Sequence, residues 1–269
     1  MKILVIRHDV LGDVFLVSSV FPGLRKKYPD ATLDYFFNPG YGDLLQGNPF
    51  IDHFVHEDDG SYDLVLPIDH ASCWDDWMPK VHCRIAGVDF HPPEIYFTDD
   101  EIAFGRQYEG CIALATGAGW MSRRYNHWPE VVAVLKKSYR IVQIDLMPNV
   151  DDGIEHARID IRHGAALVNA AALYLGVDSL FMHVAAACCT PSVVCFGATD
   201  ISIQYVPCCT ALRPKPWVSL FDHEYLNGIE LPPEAVIQAV RERAGWHVIT
   251  EMTDGAGEKT QKAPQLETL

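Results

Sequence analysis

At 269 residues the chain is long enough for two domains of roughly 100–150 residues each. Its composition, 49% hydrophobic and 21% charged, is that of an ordinary globular protein, and no apolar run approaches the roughly 20 residues a membrane span needs. A formal net charge of −15 argues against a nucleic-acid partner, because phosphate binding draws on clustered Lys and Arg. Screening confines that field to about 8 Å at physiological salt, so a local cationic patch is still enough to hold a diphosphate.

Met1-Lys2 leads straight into Ile3–Ile6, a buried strand too short to be the apolar core of a signal peptide, so a cytoplasmic protein without a transmembrane segment is expected. The strand Lys2–Arg7 passes through His8–Asp13 into a helix expected to reach about Lys27. Gly12 permits close backbone approach at that turn, and Asp13 falls at the helix start, facing the space above the sheet. Strands follow at Thr32–Phe37, Asp52–His56 and Tyr62–Pro67, with a short helix at Tyr41–Gln46. This alternation makes residues 1 to about 100 a small doubly wound α/β unit. Over Asp69–Phe97, Trp74, Trp77, His82 and Arg84 interleave with apolar residues. Buried aromatics on an ordinary helix are favoured there over an acceptor-facing loop.

A second α/β unit opens with the strand Cys111–Ala115 and the turn Thr116-Gly117-Ala118-Gly119. The pattern Gly117-x-Gly119 is weak evidence for phosphate binding, and no G-x-x-x-x-G-K-[ST] loop accompanies it. Trp128–Lys137 reads as a helix with Pro129 in its first turn, Arg140–Ile144 as a strand and Ala165–Ala172 as a helix. Leu173–Val177 is a short apolar strand ending at Asp178-Ser179, a pair suited to capping a helix. Phe181–Cys188 continues as that helix, Thr190-Pro191 stops it, and Ser192–Phe196 is a second buried strand ending in Gly197. Strand, helix and strand in so few residues imply a parallel sheet. Ligands bind beyond the carboxyl ends of such strands, where Asp178 and Gly197 fall, and the helix start is a natural seat for phosphate. After Asp200 come a Pro-rich connection (Pro207, Pro214, Pro216), a final helix from Pro233 to about Ala244, and a polar flexible tail from about Thr250. The adjacent pairs Cys188-Cys189 and Cys208-Cys209 lack zinc-site spacing and read as structural free thiols.

Two blocks at opposite ends of the chain carry a family resemblance. The run ILVIRHDVLGDVFLVSSVFPGLRKKYPDATLDYFFNPGYGDLLQGNPFIDHFV resembles the first third of a glycosyltransferase family 9 (heptosyltransferase-group) protein. GVDSLFMHVAAACCTPSVVCFGATD is similar to that family's D-S-x-x-M-H-x-A-A-A…T-P-x-V-x-x-F-G-x-T signature. The likeness is good over about 1–55 and 110–205 and poor over 68–108 and beyond 206. It implies a GT-B architecture, α/β with two facing Rossmann-like domains and parallel sheets. Residues 1–105 would form the acceptor side, 106–248 the nucleotide-sugar side, and 249–269 a flexible tail.

The resemblance also implies a metal-independent, cofactor-free, inverting transfer of a sugar from a nucleotide diphosphate donor to a saccharide, glycolipid or protein acceptor. Heptose, as ADP-heptose, is the sugar to which the family name points. By that carry-over Asp13 is the general base, and Gly12, Thr116, Gly117, Arg123, Arg124, Asn126, Asp178, Ser179, Met182, His183, Gly197 and Thr199 are the donor-binding set. One departure stands out: the family's lysine two positions before its Trp-Pro is Asn126 here, leaving Arg123 and Arg124 as the cations of that loop. The alternative is a non-catalytic sugar-nucleotide-binding or assembly protein on the same fold; a GT-B epimerase or a transferase acting on modified DNA is a further reading, and the charge balance disfavours the DNA version.

Overall fold

The computed structural model describes residues 1–8, 10–69, 75–145, 147–201, 208–214 and 228–253. Two parallel sheets organise them. The first has strand order β3-β2-β1-β4, with β1 at Lys2–Ile6, β2 at Thr32–Phe36, β3 at His53–Val55 and β4 at Leu64–Pro67. Its helices are α1 (Leu11–Val17), α2 (Val20–Lys27) and α3 (Met78–Ala86). All three pack into the core formed with Ile3, Val5, Leu33 and Tyr35. The helices therefore cover one face of this sheet, where the doubly wound arrangement expected from the sequence would place them on both. The single helix expected from residue 11 to 27 is two helices. Pro22 has no N–H to give to the carbonyl four residues earlier, and the chain breaks at Ser18-Ser19, one turn upstream. Trp77 and His82 are buried, as an ordinary helix requires, whereas Trp74 lies outside the described residues.

The second sheet has strand order β10-β9-β8-β5-β6-β7. Its strands are β5 (Ile112–Ala115), β6 (Ile141–Gln143), β7 (Glu155–His156), β8 (Leu173–Val177), β9 (Ser192–Cys195) and β10 (Cys209–Leu212). Its helices are α5 (Trp128–Leu135), α6 (Ile161–Ala170), α7 (Leu180–Ala187) and α8 (Pro233–Thr253), and α4 (Asp99–Gly105) precedes β5. Along β5 successive side chains face opposite ways. Ala113 and Ala115 join the core under α6 and α7, and Ile112 and Leu114 join the core under α5 and α8. Burial on both faces explains why the central strands are continuous apolar runs with no polar alternation. The last helix, α8, continues past the expected end at Ala244 to Thr253; the rest of the expected tail lies outside the described residues.

The halves are fastened at one corner by Arg162 of α6. Its Nη1 donates to the carbonyls of Asp43 (2.9 Å) and Gln46 (3.3 Å), and its Nη2 to the carbonyl of Tyr96 (2.7 Å) and to Glu101 Oε2 (2.6 Å). Its Nε is hydrogen-bonded to Glu101 Oε1. Glu101 is carried by α4, whose start is a capping box: the Thr98 N–H donates to Glu101 Oε2 at 2.8 Å, and the Glu101 N–H to Thr98 Oγ1 at 3.3 Å. At the other end of α4, Gly105 lies so close to α6 that a Cβ there would stand 2.4 Å from the Ala166 carbonyl.

Candidate functional site

The helices that follow β1 and β8, α1 and α7, lie against each other, and the residues around their starts supply two walls. On the β1 wall, Arg7 follows the strand directly and is buried. Its Nη1 donates to the Ile68 carbonyl at 3.0 Å, and its Nη2 to Asp13 Oδ2 at 2.9 Å. Asp13 stands in the first turn of α1. Val10, in the N-cap position, makes no side-chain cap, and the Asp13 carboxylate is bonded to Arg7 instead. Gly12 faces the other wall: a Cβ added there would meet His183 Cδ2 at 3.6 Å, an ordinary contact distance.

On the β8 wall, Asp178 ends the strand and is 1% exposed. Ser179 occupies the N-cap position of α7 without a side-chain capping hydrogen bond. The capping role expected of Asp178-Ser179 is therefore not realised, because Asp178 is directed at Arg123. The Arg123 Nε lies 3.1 Å from Asp178 Oδ2, near enough for an ion pair but off the direction of a hydrogen bond. Both Asp178 oxygens, His183 Nδ1 and Thr199 Oγ1 are buried with no hydrogen-bond partner among the described residues. Buried polar atoms are normally paired, and an unpaired one costs roughly 1–3 kcal/mol, so these atoms retain hydrogen-bonding capacity that the described residues do not use.

His183 joins the two walls. Burial pushes its imidazole below the ordinary value against the opposing pull of the Asp178 and Asp13 carboxylates, and Arg123 adds to the lowering. It is therefore neutral at pH 7, with one ring nitrogen as donor and the other as acceptor. The turn that carries Gly12 and Asp13 lies against the helix that carries His183 and begins just after Asp178.

The remaining expected residues divide. Gly197 is required by a close approach: a Cβ there would lie 1.8 Å from the Ser122 carbonyl. The absent side chain lets the turn Met121–Arg123 lie against the end of β9 and bring Arg123 to Asp178. Arg124 and Asn126 are exposed, and the Arg124 carbonyl accepts from the Ile229 N–H at 2.6 Å. Met182 is wholly buried and packs in the core.

Thr116 and Gly117 present their N–H groups to a side chain of the protein itself. Asp145 Oδ2 accepts from Gly117 N at 2.7 Å, from Thr116 Oγ1 at 2.9 Å and from the Thr116 N–H. Its Oδ1 accepts from Gln143 Nε2 at 2.8 Å and Met147 N at 3.1 Å. The N–H groups of the glycine-rich turn are thus taken by an internal carboxylate.

Sequence reasoning missed Arg7 and Asp145. Each follows an apolar strand directly, which is the available signal, but the partner of each is fixed by strand and helix neighbours that the sequence does not display.

Residues 154–207, which span α6 to β9 and include Asp178, His183, Gly197 and Thr199, match the model of glycosyltransferase family 9 (heptosyltransferase). The N-terminal block of the resemblance lies outside the matched residues. Among solved structures the chain is similar to a family 9 glycosyl transferase from Veillonella parvula DSM 2008, with a TM-score of 0.74 at 16% identity over 91% of this chain and 97% of that one. It is similar to E. coli ADP-heptose LPS heptosyltransferase II (0.71, 17%, 92% and 100%) and to E. coli heptosyltransferase WaaC with ADP (0.63, 15%, 91% and 98%). No curated protein sequence matches the chain. These likenesses establish the fold: two facing parallel-sheet α/β units of the GT-B kind, as the resemblance implied. Among the described residues, no helix is long and apolar enough to cross a membrane.

Proposed function

We propose that the chain is an inverting glycosyltransferase that moves a sugar from a nucleoside diphosphate to an acceptor hydroxyl, with Asp13 as general base. The observation that carries this reading is the contact between the Gly12–Asp13 turn of α1 and His183 of α7, the helix that begins just after Asp178. In the reaction the acceptor oxygen attacks the anomeric carbon and forms the new C–O bond. Its proton passes to Asp13, and the bond from the anomeric carbon to the diphosphate oxygen breaks, its electron pair leaving with the nucleoside diphosphate. Developing charge on the leaving group is met by Arg123, by an N–H of neutral His183 and by the amino end of α7 rather than by a metal ion. The Asp178 carboxylate is an acceptor and suits sugar hydroxyl donors better than phosphate oxygens.

The matched family and the similar E. coli ADP-heptose LPS heptosyltransferase II point to ADP-heptose as the first donor to try. The acceptor side is drawn from a saccharide, glycolipid or protein. A panel of nucleotide sugars, titrated calorimetrically and then followed for nucleoside diphosphate release, tests the proposal. Binding with turnover supports it; no binding by any member overturns it. A second reading, a sugar-nucleotide-binding protein without turnover, is favoured by Asn126 at the lysine position and by the occupation of the Thr116 and Gly117 N–H groups by Asp145. Binding without release distinguishes it.

A further inference from the structure

We infer that Arg7 is the positioning residue for Asp13: its guanidinium fixes one carboxylate oxygen so that the other is presented to the acceptor hydroxyl. The inference rests on the transferase reading above.

Arg7 sits in a socket made by the sheet itself. Its own N–H donates to the Phe36 carbonyl on β2 at 2.9 Å, and the Ile68 N–H returns to the Ile6 carbonyl at 3.0 Å. These bonds extend the β1 ladders one residue past their paired ends, where Ile6 faces Phe36 and Pro67. The guanidinium then spans sideways, with Nη1 on the Ile68 carbonyl at 3.0 Å, 3.7 Å from Asp69 Oδ1, and Nη2 on Asp13 Oδ2 at 2.9 Å. A long side chain that is 6% exposed and held at both ends has lost the rotamer freedom such a chain has at a surface.

Asp13 is different in kind. Its N–H is bonded to the Val10 carbonyl, and its carboxylate takes no part in capping α1. Its orientation therefore comes from the sheet through Arg7. A base must lie within hydrogen-bond reach of the proton it takes and be aligned with it, and an error of about 1 Å can cost about 100-fold in rate. A charge-assisted bond to Oδ2 from a buried, planar donor removes that error and leaves Oδ1 for the incoming proton. Lysine at residue 7 would keep the charge without the fork that holds Ile68 and Asp13 together.

The test is a double-mutant cycle on nucleoside diphosphate release, run with the first nucleotide sugar that the wild type turns over, and accompanied by donor titrations and thermal melts. Arg7→Gln is expected to lower kcat about 10- to 100-fold. Its donor Kd should stay within about threefold of wild type, since the guanidinium acts on the base and not the donor. In an Asp13→Asn background, Arg7→Gln should lower the remaining rate by no more than about twofold, because the group it positions is already gone. Arg7→Lys is expected to recover part of the loss, and it takes the place of Arg7→Gln in the cycle if that variant does not fold. A full, multiplied loss in the Asp13→Asn background would show Arg7 acting independently and would overturn the inference alone. Wild-type turnover by Asp13→Asn would remove the general-base role and this inference with it, and no turnover by wild type with any nucleotide sugar would remove the transferase reading itself.

Discussion

Two of the places where the halves of the molecule touch treat their polar atoms in opposite ways. At the Arg162 corner each guanidinium nitrogen has an acceptor, shared among three backbone carbonyls and Glu101. Beyond the carboxyl ends of β8 and β9, both Asp178 oxygens and Thr199 Oγ1, together with His183 Nδ1 on α7, are buried without a hydrogen bond among the described residues. Satisfied networks rigidify, whereas unsatisfied buried groups carry a standing cost that folding alone does not recover. On the proposed reading the difference separates a fastening, which fixes how the halves sit, from a surface whose donors and acceptors are left for a ligand.

The comparison predicts that variants at the two places will fail differently. The largest effect belongs to Asp13→Asn, expected to lower turnover by about 10²–10⁴-fold with donor affinity and melting temperature held near wild type. A large fall in melting temperature would move Asp13 into the structural class. Next comes Gly197→Ala, whose new methyl would collide with the Ser122 backbone and push away the turn that carries Arg123. Donor affinity measured by calorimetry should then fall about 10- to 100-fold, the value of a charged hydrogen bond.

At the fastening the loss should appear in stability. Arg162→Met strands Glu101, which is 9% exposed, and is expected to cost about 3–5 kcal/mol in denaturant unfolding. The same pair has an acid signature. The Arg162 guanidinium holds the Glu101 carboxyl down to about 2 from an ordinary 4.5. Because the folded-state value is the lower one, this stabilisation is present above about pH 4.5 and is lost as pH falls through the window toward 2. A Glu101→Gln variant should therefore start less stable and lose less between those pH values; an unchanged acid slope would contradict the assignment. The smallest effect is expected from Thr98→Ala, which removes half of the capping box that presents Glu101 and should cost about 1 kcal/mol.

What could be read from the sequence follows the same division. The unit β8–α7–β9 was legible almost to the residue, because apolar runs there are bounded by Asp178-Ser179, Thr190-Pro191 and Gly197. The places of Asp13, Asp178 and His183 at strand ends and helix starts followed from that pattern. Long-range partners did not. Arg123 reaches Asp178 only because β5 lies beside β8, and Asp145 closes the Thr116–Gly117 turn only because β6 lies on the other side of β5. Neighbour order in a sheet has no local signature. The helix α4 was missed although Thr98-x-x-Glu101 is a capping-box pattern, since the poorly patterned segment before it hid its start. The strand β10 was missed because Cys209–Leu212 is four residues set among prolines, paired with only one neighbour.

The most direct test of the central claim is a structure of the chain with ADP-heptose or, failing that, ADP bound. The account predicts the diphosphate at the amino end of α7, within hydrogen-bond reach of Arg123 and His183, with Asp13 across the junction on the side of the anomeric carbon away from the phosphate. A diphosphate bound elsewhere, or an Asp13 carboxylate on the same side of the sugar as the leaving group, would contradict it.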